Sequence, residues 1–235
     1  MIAATKSHAL NAQAVELIQE GNFEKAILVL RGAINNLAAG SILRSQSQPP
    51  EKISVSTNNW KGDLLLIRSV PSLKHTFTCQ DHHTFTMFDR ALYMEATTDP
   101  DIISSSALGQ NTIAAILLYN VGLVHQLQGI QNPSKQRDNF ENAMEAYQRA
   151  AAILENTFTT ENVVVGQVNL SIRNNMGHIY SHFCEGRKAQ WCLDWLRFIL
   201  EVSPASEGGF SQDFLIFHMN VVTLHGKQDA VAAAA

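Results

Sequence analysis

Apolar and small side chains near the amino end fall at Leu10, Ala14 and Leu17, then at Ala26, Leu30, Ala33 and Leu37, with Gly21-Asn22 between the two sets. Steps of three, four and seven put each set on one face of a helix, so the pattern predicts helix, turn, helix. The periodicity lapses over residues 40–109, where Ser45-Gln46-Ser47-Gln48-Pro49-Pro50 and Ser104-Ser105-Ser106 have loop composition. An irregular spacer is expected there. Within it, Leu64 to Val70 and Thr84 to Met94 are rich in β-branched or aromatic residues and are expected as extended segments against the helices. Phe88-Asp89-Arg90-Ala91 also looks like a second-helix fragment, by its likeness to Tyr147-Gln148-Arg149-Ala150. Helical spacing resumes at Asn111, through Leu118, Val121, Gly122 and His125, and again through Phe140, Ala143, Tyr147, Ala150 and Leu154. Gly129 to Asp138, with Pro133, is expected as the loop between these helices. A further pair is predicted over Val163 to Phe183 and Arg187 to Val202, then a last helix ended by Gly226.

The pattern also repeats. Asn22-Phe23-Glu24-Lys25-Ala26 recurs as Asn139-Phe140-Glu141-Asn142-Ala143, and Ala33 and Ala150 follow the two alanines at the same distance. A small residue of the first helix precedes this alanine by the same interval in two copies, Ala14 to Ala26 and Gly177 to Ala189; from Gly122 to Ala143 the interval is longer, opened at the Pro133 loop. Small residues at these points let two antiparallel helices approach closely. In the helix Arg187 to Val202, Leu193, Leu196 and Leu200 make one apolar stripe and Trp191, Trp195 and Phe198 a second. A helix apolar on two sides is expected to be sandwiched, here with the second stripe against the last helix.

These residues resemble the tetratricopeptide repeat, a helix–turn–helix unit of ~34 residues. The likeness rests on Ala14, Leu17, Gly21, Phe23, Ala26, Leu30 and Ala33, on Gly122, His125, Phe140, Ala143, Tyr147 and Ala150, and on Gly177, Tyr180, Ala189, Leu193 and Leu196. It covers half to two thirds of the chain and departs from the family at its closing proline. The fold it implies is all-α: an α-solenoid of antiparallel helix pairs in one domain, residues 1–235. Repeats are expected at about 8–38, 111–155 and 163–202, the irregular insertion 40–109 after the first pair, and a terminal helix at 211–225. In this family the groove is lined by the inner face of each first helix, which by position nominates Asn11, Tyr119, Asn120, Leu123, Asn174, Asn175, His178 and His182. The set is polar and almost uncharged, so it suits a neutral peptide or a helix of another protein better than a carboxylate tail. The resemblance thus implies a non-enzymatic interaction scaffold whose partner is another protein.

Composition narrows the field without adding a reaction. A formal charge of -4, with no run of basic residues, argues against a nucleic-acid partner. The amino terminus lacks a leader-length apolar stretch and Ile113 to Leu118 is too short to span a bilayer, so no membrane partner is expected. The odd count of 3 cysteines, Cys79, Cys184 and Cys192, fits a reducing, intracellular and cytoplasmic location. His178 and His182, four apart, and the cluster His75, Cys79, His82 and His83 have spacings able to hold a metal. A metal- or small-ligand-binding regulator using that cluster is the alternative function; the leading reading needs no cofactor. No nucleophile elbow or phosphate-binding glycine loop is present in the sequence, and no enzyme is expected. The apolar end Ala230 to Ala235 makes self-association a further expectation.

Overall fold

The computed structural model describes residues 2–47, 65–71, 85–96, 107–155, 162–202 and 212–233. These hold seven helices and one small sheet: α1 (Ile2–Gln19), α2 (Phe23–Ser47), β1 (Leu65–Pro71), β2 (Arg90–Ala96), α3 (Ala107–Gln131), α4 (Gln136–Glu155), α5 (Val163–His182), α6 (Gly186–Val202) and α7 (Gln212–Ala233). The chain is predominantly helical. Helices α1 and α2, α3 and α4, and α5 and α6 pack as hairpins. Each hairpin also touches the next, through α2 with α3, α4 with α5 and α6 with α7. The first helices meet as well, α1 with α3 and α3 with α5, so that they share one face.

The turns show why these boundaries fall where they do. At the end of α1, Asn22 N–H donates to Leu17 O at 2.8 Å and Gly21 N–H to Ile18 O at 3.0 Å, with Gly21 at φ +73°. This is the Schellman arrangement, which needs a left-handed residue where glycine carries no penalty. The end of α5 has the same pair of bonds, Glu185 N–H to Tyr180 O at 2.8 Å and Cys184 N–H to Ser181 O at 3.1 Å. There the left-handed residue is Cys184, φ 57°. Helix α5 starts on Asn162, whose side chain accepts from Val165 N–H at 3.1 Å, a side-chain N-cap.

The small residues lie at the closest contacts. Ala14, Ala26, Ala33, Ala143 and Ala150 are each 0% exposed. A Cβ on Gly122 would stand 2.6 Å from the Tyr147 ring and one on Gly129 2.7 Å from the Phe140 ring, so α3 supplies glycine where α4 lays its aromatics. Gly177 differs from the expectation: its open side meets Phe85 of the spacer, 2.6 Å from where a Cβ would be, in place of a neighbouring helix.

Several boundaries also differ from the sequence pattern. Residues 40–47 and 107–109 are helical, and the spacer contributes the antiparallel hairpin β1–β2, with Ser69 opposite Leu92. Phe88-Asp89-Arg90-Ala91 is extended, not helical. Helix α3 runs on to Gln131, and a single 3-10 turn, Pro133–Lys135, connects it to α4. Helix α7 passes through Gly226 to Ala233, since one glycine weakens a helix interior by only about 1 kcal/mol. The second stripe of α6 is not sandwiched, because Trp191 and Phe198 are 43% and 45% exposed. Its rings stack edge to face, and the buried Arg173 guanidinium lies 4.4 Å from the Trp191 ring and 5.2 Å from that of Trp195. Arg173 also reaches Glu155 at 3.3 Å, joining α4, α5 and α6. Among the described residues Leu108–Gln131 is long and apolar enough to cross a membrane, and 72% of its 18-residue apolar window is buried inside the protein.

Replacing Cys184 by glycine relieves the left-handed strain at an exposed site. We expect Cys184→Gly to raise unfolding free energy by about 1 kcal/mol in urea denaturation; an unchanged midpoint would show that the turn stores no strain.

Candidate functional site

Four helices place amide side chains on their shared face. Asn11 lies on α1, Asn120 on α3, Asn174 and Asn175 on α5, and Asn220 on α7; the first four are 0% exposed and Asn220 3%. Asparagine competes poorly for a helix interior and is costly to bury unless its donors and acceptor are matched. Here the match is the chain's own spacer, residues 85–96, which crosses this face in extended form.

Each amide reads the main chain of alternate residues. Asn220 Oδ1 accepts from Thr86 N–H at 2.8 Å and its Nδ2 donates to Thr86 O at 2.9 Å. Asn175 does the same to Phe88, at 2.9 and 3.0 Å. Asn120 does so to Leu92, at 2.9 and 2.9 Å. Between them, the Tyr119 hydroxyl donates to Arg90 O at 2.9 Å. Asn174 and Asn11 add second donors, to Thr86 O at 2.9 Å and Leu92 O at 3.1 Å. Lateral bonds tie the amides together: Asn220 to Asn174 at 2.6 Å and Asn120 to Asn11 at 2.9 Å. Residues two apart in an extended chain present N–H and C=O on the same edge, so the helices take the edge of Thr86, Phe88, Arg90 and Leu92. The other edge of β2 faces β1, whose Val70 stands opposite Ala91.

Side chains of the strand are buried too. Phe85, Met87, Phe88, Ala91, Leu92 and Met94 are between 0% and 8% exposed. Phe85 occupies the space left by Gly177, and Phe88 packs on Phe217 of α7 with ring centroids 4.9 Å apart.

A second layer of polar groups lies behind Asn175. Its Nδ2 donates to the Tyr147 hydroxyl at 3.1 Å, which donates in turn to Gln126 Oε1 at 2.8 Å. With its oxygen so engaged, Gln126 points its Nε2 at His178 Nδ1, 3.0 Å away. His178 is therefore a neutral acceptor at that nitrogen. Desolvation, and next the neighbouring His182, push its imidazole down to about 4. His182 is exposed and packs edge-on to Phe140, centroids 5.0 Å apart.

The positions nominated from sequence thus separate into groups. Asn11, Tyr119, Asn120, Asn174 and Asn175 converge on the strand; Leu123 is buried in the core; His178 stands behind the amides, and His182 is outside the ladder. Among the described residues no three His, Cys, Asp or Glu side chains come together as metal ligands. His75, Cys79, His82 and His83 lie outside the described residues. Sequence reasoning missed Asn220. The signal was present, since Asn120 and Asn175 each precede an aligned glycine by two residues, but α7 has no glycine there to set the register. It also missed Tyr147 and Gln126 as one connected network, which spans two helices.

No family model, curated protein or solved structure matches this chain.

Two outcomes follow from the geometry. Asn175→Ala removes the acceptor of the buried Phe88 N–H and the nearer of two donors to Phe88 O, which keeps the Tyr119 hydroxyl at 3.3 Å; the unsatisfied N–H costs about 1–3 kcal/mol. Its measurable mark is faster amide exchange at Phe88, with Leu92 less affected; equal acceleration at both would mean that the ladder has no local character. His178 gives a pH dependence. Its folded value, about 4, is below the ordinary imidazole value of 6.5, so between these pH values the unfolded chain binds a proton that the native one refuses. Stability should therefore fall as pH drops from 6.5 toward 4, by up to about 1.4 kcal/mol per unit from this group. Half-buried His8 and His125, also lowered by desolvation, act in the same direction. Melting temperature against pH should be flatter for His178→Gln, though not flat.

Proposed function

We propose that this chain is a non-enzymatic protein–protein interaction adaptor, a tetratricopeptide-like α-solenoid whose face of first helices receives an extended segment. The observation that carries this reading is the set of three asparagines, each bonded to both the N–H and the C=O of one residue on a single strand edge. A primary amide presents a donor and an acceptor side by side, matching the N–H and C=O of one peptide residue, and keeps a second N–H for a neighbour, so such a row recognises main chain in extended form and is indifferent to most side chains. It carries no charge, so its ligand needs none. The groups at this face are amides, phenols and hydrocarbons, which favour binding over proton transfer; burial raises the Tyr147 phenol further above its ordinary range.

The test is an unbiased crosslinking pull-down with the wild-type chain and with Asn120→Ala/Asn175→Ala, both checked for helical content. Proteins that crosslink through this face should be recovered with the wild type and lost from the folded double variant. Equal recovery with both would move the partner to another surface.

A further inference from the structure

We propose that the segment Phe85–Ala96, which includes β2, is a built-in competitor for the face it covers, and that the external ligand is an extended segment with the same anchor spacing. That spacing is an aromatic residue, an apolar one two on, a second aromatic three on, a small residue and a leucine six and seven on, and an apolar one nine on. They correspond to Phe85, Met87, Phe88, Ala91, Leu92 and Met94. The inference rests on the adaptor reading and adds to it the ligand's class and its regulation.

On the helix side the bonds to the main chain come from side-chain amides and a phenol, so an incoming segment can replace these one for one, while the pairing with β1 uses the other edge. Proline is excluded at the positions of Thr86, Phe88 and Leu92, whose N–H groups are all used. Discrimination falls to the anchors. Gly177 shapes the seat of Phe85, and Phe217, 0% exposed, forms the wall behind Phe88. The helices also hold contacts that do not pass through the strand, since α2 packs directly on α3 across the insertion and α4 on α5. A tethered strand acts at an effective concentration of roughly millimolar, so an untethered segment with equal contacts loses to it at micromolar concentration. The face is consequently closed at rest and opens to a segment with better anchors, or when the resident anchors are weakened.

The probe is a fluorescein-labelled peptide of residues Phe85–Ala96, titrated by anisotropy against the full chain and against full-length Phe85→Ala/Phe88→Ala. The variant should bind it at least about tenfold more tightly than the wild type does. A control peptide with Phe88→Pro should lose that binding. If the double variant loses its helical signal, the milder Phe88→Leu carries the test, with a smaller gain in the same direction. A folded variant that binds no better than wild type, or that binds the proline peptide equally, overturns the proposal. A concentration-dependent dimer that the peptide dissolves would make a second copy of this chain the occupant and overturn the external ligand. Peptide binding by the opened variant with no crosslinked partner in the pull-down would uphold displacement and refute the adaptor reading, so the two failures are distinguishable.

Discussion

A primary amide bonded to both polar groups of one peptide unit is the contact on which the arrangement of this protein depends. Asn120, Asn175 and Asn220 each make it, and the requirement that all three meet the same strand edge determines how α3, α5 and α7 stand relative to one another. Two residues of strand advance about 7 Å, somewhat less than the usual 8–10 Å between packed helices. Thr86 and Phe88 are read by adjacent first helices within one such step. The interval from Phe88 to Leu92 is twice as long, and Tyr119 fills it by bonding Arg90 O. Helix and strand thus impose register on one another through side-chain amides.

Buried amides in helix interiors are unfavourable unless each donor and acceptor is matched, and the network behind the face is organised to match them. Asn175 has more hydrogen-bonding capacity than the Phe88 main chain uses, and Tyr147 takes the remainder. Tyr147 donates its own hydrogen bond to Gln126 Oε1, and Gln126 orients its Nε2 toward His178. One pair of helices is in this way coupled to the next through polar groups inside an apolar core. The depressed basicity of His178 follows from the same enclosure, because a charged imidazole there would face desolvation and His182 together.

Small residues serve two ends at equivalent places in the chain. Gly122 admits Tyr147 from the paired helix, whereas Gly177, at the aligned position of α5, admits Phe85 from the spacer. Absence of a side chain specifies room, not its occupant. The same ambiguity holds for the apolar stripes of α6: Leu193 and Leu196 are in the core, while Trp191, Trp195 and Phe198 form a partly exposed stack around Arg173.

The helical spacing, the paired small residues and the extended tendency of residues 84–94 were all legible in the sequence, because each is a local property expressed at fixed steps along the chain. Four amides of the ladder, Asn11, Asn120, Asn174 and Asn175, and the Tyr119 phenol were reached through the tetratricopeptide resemblance, which nominates the inner face of each first helix. Other features depended on distant parts of the chain. Phe88-Asp89-Arg90-Ala91 has residues suited to a helix, but its main-chain groups find partners on α3 and α5, which hold it extended. Asn220 belongs with Asn174 only because α7 comes beside α5, a contact across 46 residues of sequence. Local periodicity selects helices and the faces they bury; which segment fills a shared face is decided by matching buried donors to acceptors over the whole chain, and only the folded structure carries out that matching.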